Sequence, residues 1–355
     1  MKKSIFFCAA LFACAFAFQS CDKVDNPSGE PLEPTKAVID NGSDLKDVIA
    51  KFAKDGVVTL PAGVELTLNE EISLDKDLYI VSDRENPAKI TAKAGFITNS
   101  SLSFDGVDID ASAIEKPFIQ LTAFTLGSDE VSKKIDLIAF IGSKISGLKY
   151  QFIYADKQPY LVDCINIQKS IIGIDGSKKK TIFDFSGNGS GNVSFLGIDE
   201  STIYSVPTVA NNGGFFSSQS GKEVTDLGGT TQTFAISNST LYNITNAKTV
   251  NSLRKNSQAY QKFAVKNSII VNSGKSGQFL AGLNAGQKGK AENWEVSGNL
   301  INFDGADVSA TELTKINAES ISPIEGVVEF ADAEKGDFTQ KQTSAGDPRW
   351  IANAQ

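Results

Sequence analysis

The chain has 355 residues, with 34 Lys and Arg against 42 Asp and Glu, a formal net charge of −8, and no histidine at all. The missing imidazoles exclude Ser-His-Asp and Cys-His nucleophiles, His-ligated zinc and any His general base. The acidic balance argues against nucleic acid and against tight binding to an anionic polymer, both of which favour a basic surface.

Residues 1–20 read as a targeting segment. Lys2 and Lys3 precede an apolar run from Ile5 to Phe18 that is too short to span a bilayer comfortably. The run ends at Phe18-Gln19-Ser20-Cys21, a small residue before a Cys, which fits a bacterial lipoprotein signal with Cys21 as the acylated residue. Cys8 and Cys14 leave with the signal, so an acylated Cys21 makes Cys164 the one remaining thiol and precludes an internal disulfide. Residues 21–36 are Pro-rich, charged and aperiodic, as expected of an extended linker that holds the fold away from a membrane. These features predict an outer-membrane lipoprotein at the surface of a Gram-negative cell.

A helix follows. Leu45, Val48, Ile49 and Phe52 keep helical spacing, Ser43 is placed to cap the start, and Gly56 lies just past the end. Its apolar stripe can cover the end of whatever begins next. Val57 to Gly63 then starts a first coil, and Leu78 to Val81 a second.

From Leu102 onward one pattern recurs seven times: apolar-x-apolar-x-turn-polar-x-Ile/Leu. Its copies begin at Leu102, Ile138, Ile165, Leu196, Phe234, Phe263 and Trp294. An internal period of two inside a repeat of about thirty residues means a strand-turn-strand unit laid down again and again. The third slot holds Phe104, Phe140, Ile167, Ile198, Ile236, Val265 and Val296, and the eighth holds Ile109, Ile145, Ile172, Ile203, Leu241, Ile270 and Ile301. Gly142, Asn238, Asn267 and Gly298 suit the corner between the strands because they tolerate positive φ; Lys169 and Glu200 fill the same slot and fit it less well. Stacked units pair every strand edge and build one apolar column. The fold class is therefore all-β, a right-handed parallel β-helix with a short N-terminal capping helix, spanning residues 37–320 with a C-terminal capping segment at 321–355. A β-propeller is the alternative, but its repeats run longer, at about forty residues.

Several residues are candidates for chemistry. Asp108 and Asp110 share a strand face and can bind calcium, act as an acid/base pair, or simply be solvated. Asp175 and Asp184 flank Lys178-Lys179-Lys180, where Lys178 is a candidate base or an ordinary soluble lysine. The chain has three arginines, Arg84, Arg254 and Arg349, and Arg254, in a connecting segment, is the candidate contact for an anionic sugar. Tyr150, Phe152 and Tyr154 alternate, as in either a sugar-stacking platform or an internal aromatic ladder. Phe215 and Phe216 sit in a Gly/Ser-rich stretch, Pro207 to Gln232, that reads as an inserted binding loop; Gly282 to Asn293 reads as a second. Calcium at Asp108 and Asp110 is the one cofactor these residues suggest.

The tail carries Phe330, then Gly336-Asp337-Phe338, then Gly346-Asp347-Pro348-Arg349-Trp350. It suits a strand and loop folded over the C-terminal opening, with Trp350 supplying apolar area and Arg349 either pairing with Asp347 or capping a strand end. With Ser20-Cys21, the N-terminal helix followed by Leu60-Pro61-Ala62-Gly63, and the Asn-Ser corners, this ending resembles a family of bacterial surface lipoproteins. These carry tandem domains of unknown function within the pectate-lyase-like β-helix superfamily. The resemblance covers nearly the whole mature chain, and Gly-Asp-Pro-Arg-Trp is its most specific element. It implies polysaccharide as the partner; it carries no catalytic residues across. The expected function is binding or capture of a glycan at the cell surface. A polysaccharide lyase or glycoside hydrolase using Asp, Lys and Arg, and a structural or adhesive protein, are the alternatives.

Overall fold

Strands of this chain satisfy their edges by pairing with the same stretch of the coils before and after them. The computed structural model describes residues 39–122, 134–155, 160–185, 191–205, 213–218, 232–244, 250–251, 261–271, 273, 294–302, 328–341 and 344–352. Their strands form three parallel sheets. The first has nine strands, from Val57–Thr59 to Trp294–Ser297; the second has nine, from Glu65–Leu68 to Leu300–Asn302; the third has seven, from Ile72–Leu74 to Val250–Asn251. The first seven coils visit the three sheets in turn, the described strands of the last two lie in the first and second, and successive coils pair in parallel. This is a right-handed parallel β-helix, the hand that parallel crossovers take. Blades of a propeller would be separate sheets, so that alternative falls.

The repeat registers as the sequence requires. Phe104, Phe140, Ile167, Ile198, Ile236, Val265 and Val296 are direct cross-coil partners in the first sheet. Ile109, Ile145, Ile172, Ile203, Leu241, Ile270 and Ile301 are partners in the second. From Phe104 to Val265 and from Ile109 to Ile270 these files are at most 2 % exposed. The repeat unit has three strands, however, where the pattern showed two. The third sheet is short, and its inward residues are Phe96, Ile119, Ile153, Phe183 and Phe216. Its strands follow a bend, so no fixed spacing ties them to the other two.

Phenylalanines run up the column interior. Phe96, Phe104, Phe118, Phe140, Phe152, Phe183, Phe215 and Phe234 touch in succession, with ring centroids 5.1–6.1 Å apart. Edge-to-face pairs of this kind add about 0.5–1.5 kcal/mol each beyond burial.

The corner between the first and second sheets is the most regular part of the molecule. Gly106, Gly142, Lys169, Glu200, Asn238, Asn267 and Gly298 all have positive φ, between 46° and 66°. That conformation turns each corner N–H along the column, where it donates to the next coil; Gly142 to Gln168, Lys169 to Asp199 and Glu200 to Ser237 span 2.9–3.2 Å. The next position holds a buried serine in coil after coil. Ser143, Ser170, Ser201, Ser239 and Ser268 each accept the backbone N–H of the preceding coil at 3.1–3.2 Å. Each hydroxyl donates in turn to the carbonyl two residues before it. Asn299 ends the ladder with its side-chain amide. Buried polar groups are tolerated here because every one is paired.

The helix, α1 (Leu45–Phe52), covers the start of the column with Leu45 and Val48 buried and Ile49 and Phe52 packed against the core. Its N-cap is Asp44, one residue later than the Ser43 expected: the Asp44 carboxylate accepts from Lys46 N–H at 2.9 Å and from Asn69.

The tail departs from expectation. Its described part lies along the outer flank of the second sheet, not over the column's end. Phe338 is fully buried against Tyr204, Tyr242, Phe330 and Trp350. Val328 and Ala345 join Ile269, Val271 and Leu300 in a separate small apolar cluster. Trp350 Nε1–H donates to Thr202 Oγ1 at 2.7 Å, and Gly346 N–H donates to Asn267 O. The outward Thr and Tyr residues of these strands give the flank a half-apolar surface, and the tail buries it.

Candidate functional site

The sequence candidates do not gather. Asp108 and Asp110 do share the outer face of the second sheet, opposite buried Val107 and Ile109. Asp108 lies between Lys89 and Lys144 of the neighbouring coils. Burial pushes its carboxyl above the ordinary range, and Lys144 and Lys89 pull the other way. Asp110 accepts from Ser112 N–H in a local turn. Among the described residues no group of three or more potential metal ligands surrounds them. Lys178 sits two coils further on, in a short 3₁₀ turn capped by Asp175, with its ammonium 5.8 Å from the Tyr150 ring centre.

The aromatic candidates divide. Phe152 belongs to the interior file, whereas Tyr150 and Tyr154 are partly exposed, because bends at Tyr150 and Phe152 break the alternation. Tyr150 does not offer a bare face: Lys178 lies over it and its hydroxyl reaches Glu115 at 3.4 Å. Phe215 and Phe216 are a correction. They are buried core residues at and beside the third-sheet strand Phe216–Ser218, not the tip of an inserted loop, and present no ring to a sugar. Cys164 is buried in the first sheet. Arg254, Cys21 and the stretch Gly282 to Asn293 lie outside the described residues.

A different set does converge. A cleft of about 420 Å³ lies at the corner between the first and second sheets, lined by Arg84, Gly142, Lys169, Glu200, Asp347, Pro348 and Arg349. Gly142, Lys169 and Glu200 are the corner residues of three successive coils, so they stand in a row about 10 Å long, two coil rises. Arg84 reaches in from an earlier coil. Its guanidinium grips Asp105 with both arms, at 2.5 and 2.7 Å, and its side chain lies across Gly142, where a Cβ would come within 2.9 Å of it. At the other end the tail brings Arg349, whose Nη2–H donates to Glu200 O at 3.4 Å. Lys169 Nζ is 3.4 Å from Glu200.

Asp347 anchors that end. Its side chain is 1 % exposed and accepts from Thr202 Oγ1–H at 2.8 Å and from Arg349 N–H at 3.1 Å, with Arg349 Nη2 at 3.5 Å. Burial raises its carboxyl above the ordinary value, opposed by Arg349 and by Thr202. With its oxygens turned into the protein, Asp347 holds Arg349 in place and has no free oxygen to offer a ligand. Each cation of the cleft thus has its own carboxylate: Arg84 with Asp105, Lys169 with Glu200, Arg349 with Asp347.

The sequence offered the Arg349–Asp347 pair as one of two alternatives, and it did not point to this site. One signal was present. Lys169 and Glu200 occupy left-handed corners that Gly or Asn fills in the other repeats. Charged side chains kept where the backbone disfavours them cost about 1 kcal/mol or more each, and such strain gathers at functional sites.

A family model described as "Domain of unknown function (DUF4957)" matches residues 65–206, which is less than half of the chain. No curated protein matches. Among solved structures the chain is similar to AlyGC, described as a PL6 family alginate lyase, with a TM-score of 0.47 and 18% identity over 74% of this chain. The match covers 36% of that enzyme, so the chain spans little more than a third of its length.

Proposed function

We propose that this protein binds glycan without turning it over, as a β-helix tethered through Cys21 to the outer membrane and displayed at the cell surface. The observation that carries the reading is the pair Lys169 and Glu200, held in left-handed corners and lining the same cleft as Arg84 and Arg349. A shallow cleft dense in donors and acceptors suits a polyhydroxylated ligand, whose hydroxyls each donate and accept. The separation of Lys178, two coils further on, from Asp108 and Asp110 supports binding over catalysis.

The test is a glycan array probed with the intact chain, paired with incubation against the same polymers. Retention on at least one polysaccharide, with no unsaturated product and no new reducing ends, is the expected result. A blank array would defeat the reading. A second reading, a lyase or hydrolase, draws on the raised carboxyl of Asp108, which is the property a general acid needs. Product release that Asp108→Asn abolishes would establish it in place of the first.

A further inference from the structure

We propose that the corner cleft takes an uncharged stretch of glycan, with Arg84, Lys169, Glu200 and Arg349 reading sugar hydroxyls and not an acid group. The inference rests on the glycan-binding reading and gives it a substrate class and a site.

Charge decides the class. A cleft with two arginines and a lysine looks at first like a trap for a carboxylate or a sulfate. Yet the three cations face three carboxylates of the chain's own, and the pairs are close enough to be ion pairs. An acidic sugar entering here gains no unmatched positive charge and meets Glu200 and Asp105. Like charges a few ångströms apart repel, and more strongly beside a protein surface than in bulk water. The chain as a whole, at −8, adds to that repulsion.

Hydroxyls meet no such cost. A paired guanidinium still has outward N–H donors, and a paired carboxylate still has lone pairs. Two neighbouring hydroxyls can accept from the first and donate to the second. The side chains that would do this are reachable: Arg84 is 48% exposed, Lys169 56%, Glu200 34% and Arg349 31%. Asp347 is buried and is a positioning residue only. The row from Gly142 to Glu200 and the cleft volume fit a mono- or disaccharide unit and leave the polymer free to continue at both ends.

The experiment is affinity electrophoresis of the intact chain against a neutral β-glucan, a neutral mannan, a polyuronate and a sulfated galactan, each at low and high salt. Retardation by a neutral polymer, insensitive to salt, is expected, with neither acidic polymer retained. Arg84→Gln and Arg349→Gln should each weaken retention at least tenfold. Lys89→Gln, on the outer face of the second sheet and outside the cleft lining, should leave it unchanged. Lys169→Asn separates loss of site from loss of fold, because it relieves the corner and should melt no lower than the parent while binding more weakly. Salt-sensitive retention by the polyuronate or the sulfated galactan would overturn the neutral-ligand inference and leave glycan binding standing. Retention on a neutral polymer that none of the cleft substitutions affects would overturn the site. No retention on any polymer would defeat both this inference and the reading beneath it.

Discussion

Lys169 and Glu200 show how a single dihedral links stability to function. Their corners need positive φ to aim an N–H at the next coil, and neither side chain is suited to it. Asn serves the same corner at Asn238 and Asn267. Lys169→Asn should therefore stabilise the fold by about 0.5–1 kcal/mol, read from the urea midpoint; a loss would mean the Lys169–Glu200 pair outweighs the strain. The serine beside each corner answers a different need. Ser201 accepts Ser170 N–H and donates to Asp199 O, both buried. Ser201→Ala strands those partners and should cost about 1–3 kcal/mol by chemical denaturation. Asp347 gives a pH prediction. Burial makes the folded chain hold this proton more tightly than the unfolded chain does. The resulting stability is fully present below the unfolded value and is lost as pH rises through the folded one. Asp347→Asn cannot ionise, so the stability difference should move in the variant's favour as pH climbs from about 4 towards neutrality. A difference that stays flat across that window would contradict the assignment.

The tail behaves as a strap. Among its described residues it adds no strand to any of the three sheets and instead lays aromatic residues on the outer flank of the second. Phe338 is its anchor, buried between Tyr204, Tyr242, Phe330 and Trp350. Phe338→Ala removes contacts of the size that cost about 3–5 kcal/mol in a core. Because the coils beneath keep their own backbone pairing, the strap should loosen before they melt. Hydrogen exchange should rise first across residues 328–341 and 344–352, while the corner amides at Lys169 and Glu200 remain protected. Equal deprotection of strap and coils would mean that the two unfold as one unit. Loosening the strap also removes Arg349 from the cleft, which ties binding to a segment far along the chain from Arg84.

A column of this kind owes its stability to contacts between neighbouring coils. Phe118 touches Phe96, Phe104, Phe140 and Phe152, so it bridges successive levels of the interior file. Phe118→Ala should lower global stability by about 3–5 kcal/mol, seen as a shift of the whole melting transition. A variant that melts like the parent would show that the file is not continuous. The two flanks are also unlike. Near its start the second sheet carries alternating charges outward, Glu65, Lys89, Asp108 and Lys144, and near its end it carries threonine, tyrosine and isoleucine under the strap. The apolar outer end is covered and the charged one is left to water, as expected if burial drives the strap's docking.

The coil register was written in the amino-acid order, because side chains alternate along a strand and a slip of one residue would turn every Ile of the eighth slot into water. The parallel stacking and the inward files followed from that, and the capping helix followed from the helical spacing of Leu45, Val48, Ile49 and Phe52. The third sheet did not, since its short strands follow bends of varying length and share no spacing with the repeat. Nor did the cap at Asp44, where a carboxylate one residue along also had Asn69 to hold. The cleft was the least legible part. Arg84, Lys169, Glu200 and Arg349 are far apart in sequence, and winding the chain puts three successive corners in a row while the strap folds back beside them. Local patterns encode which residues point inward; which distant residues share a surface depends on the number of coils between them and on where the tail finds an uncovered apolar flank.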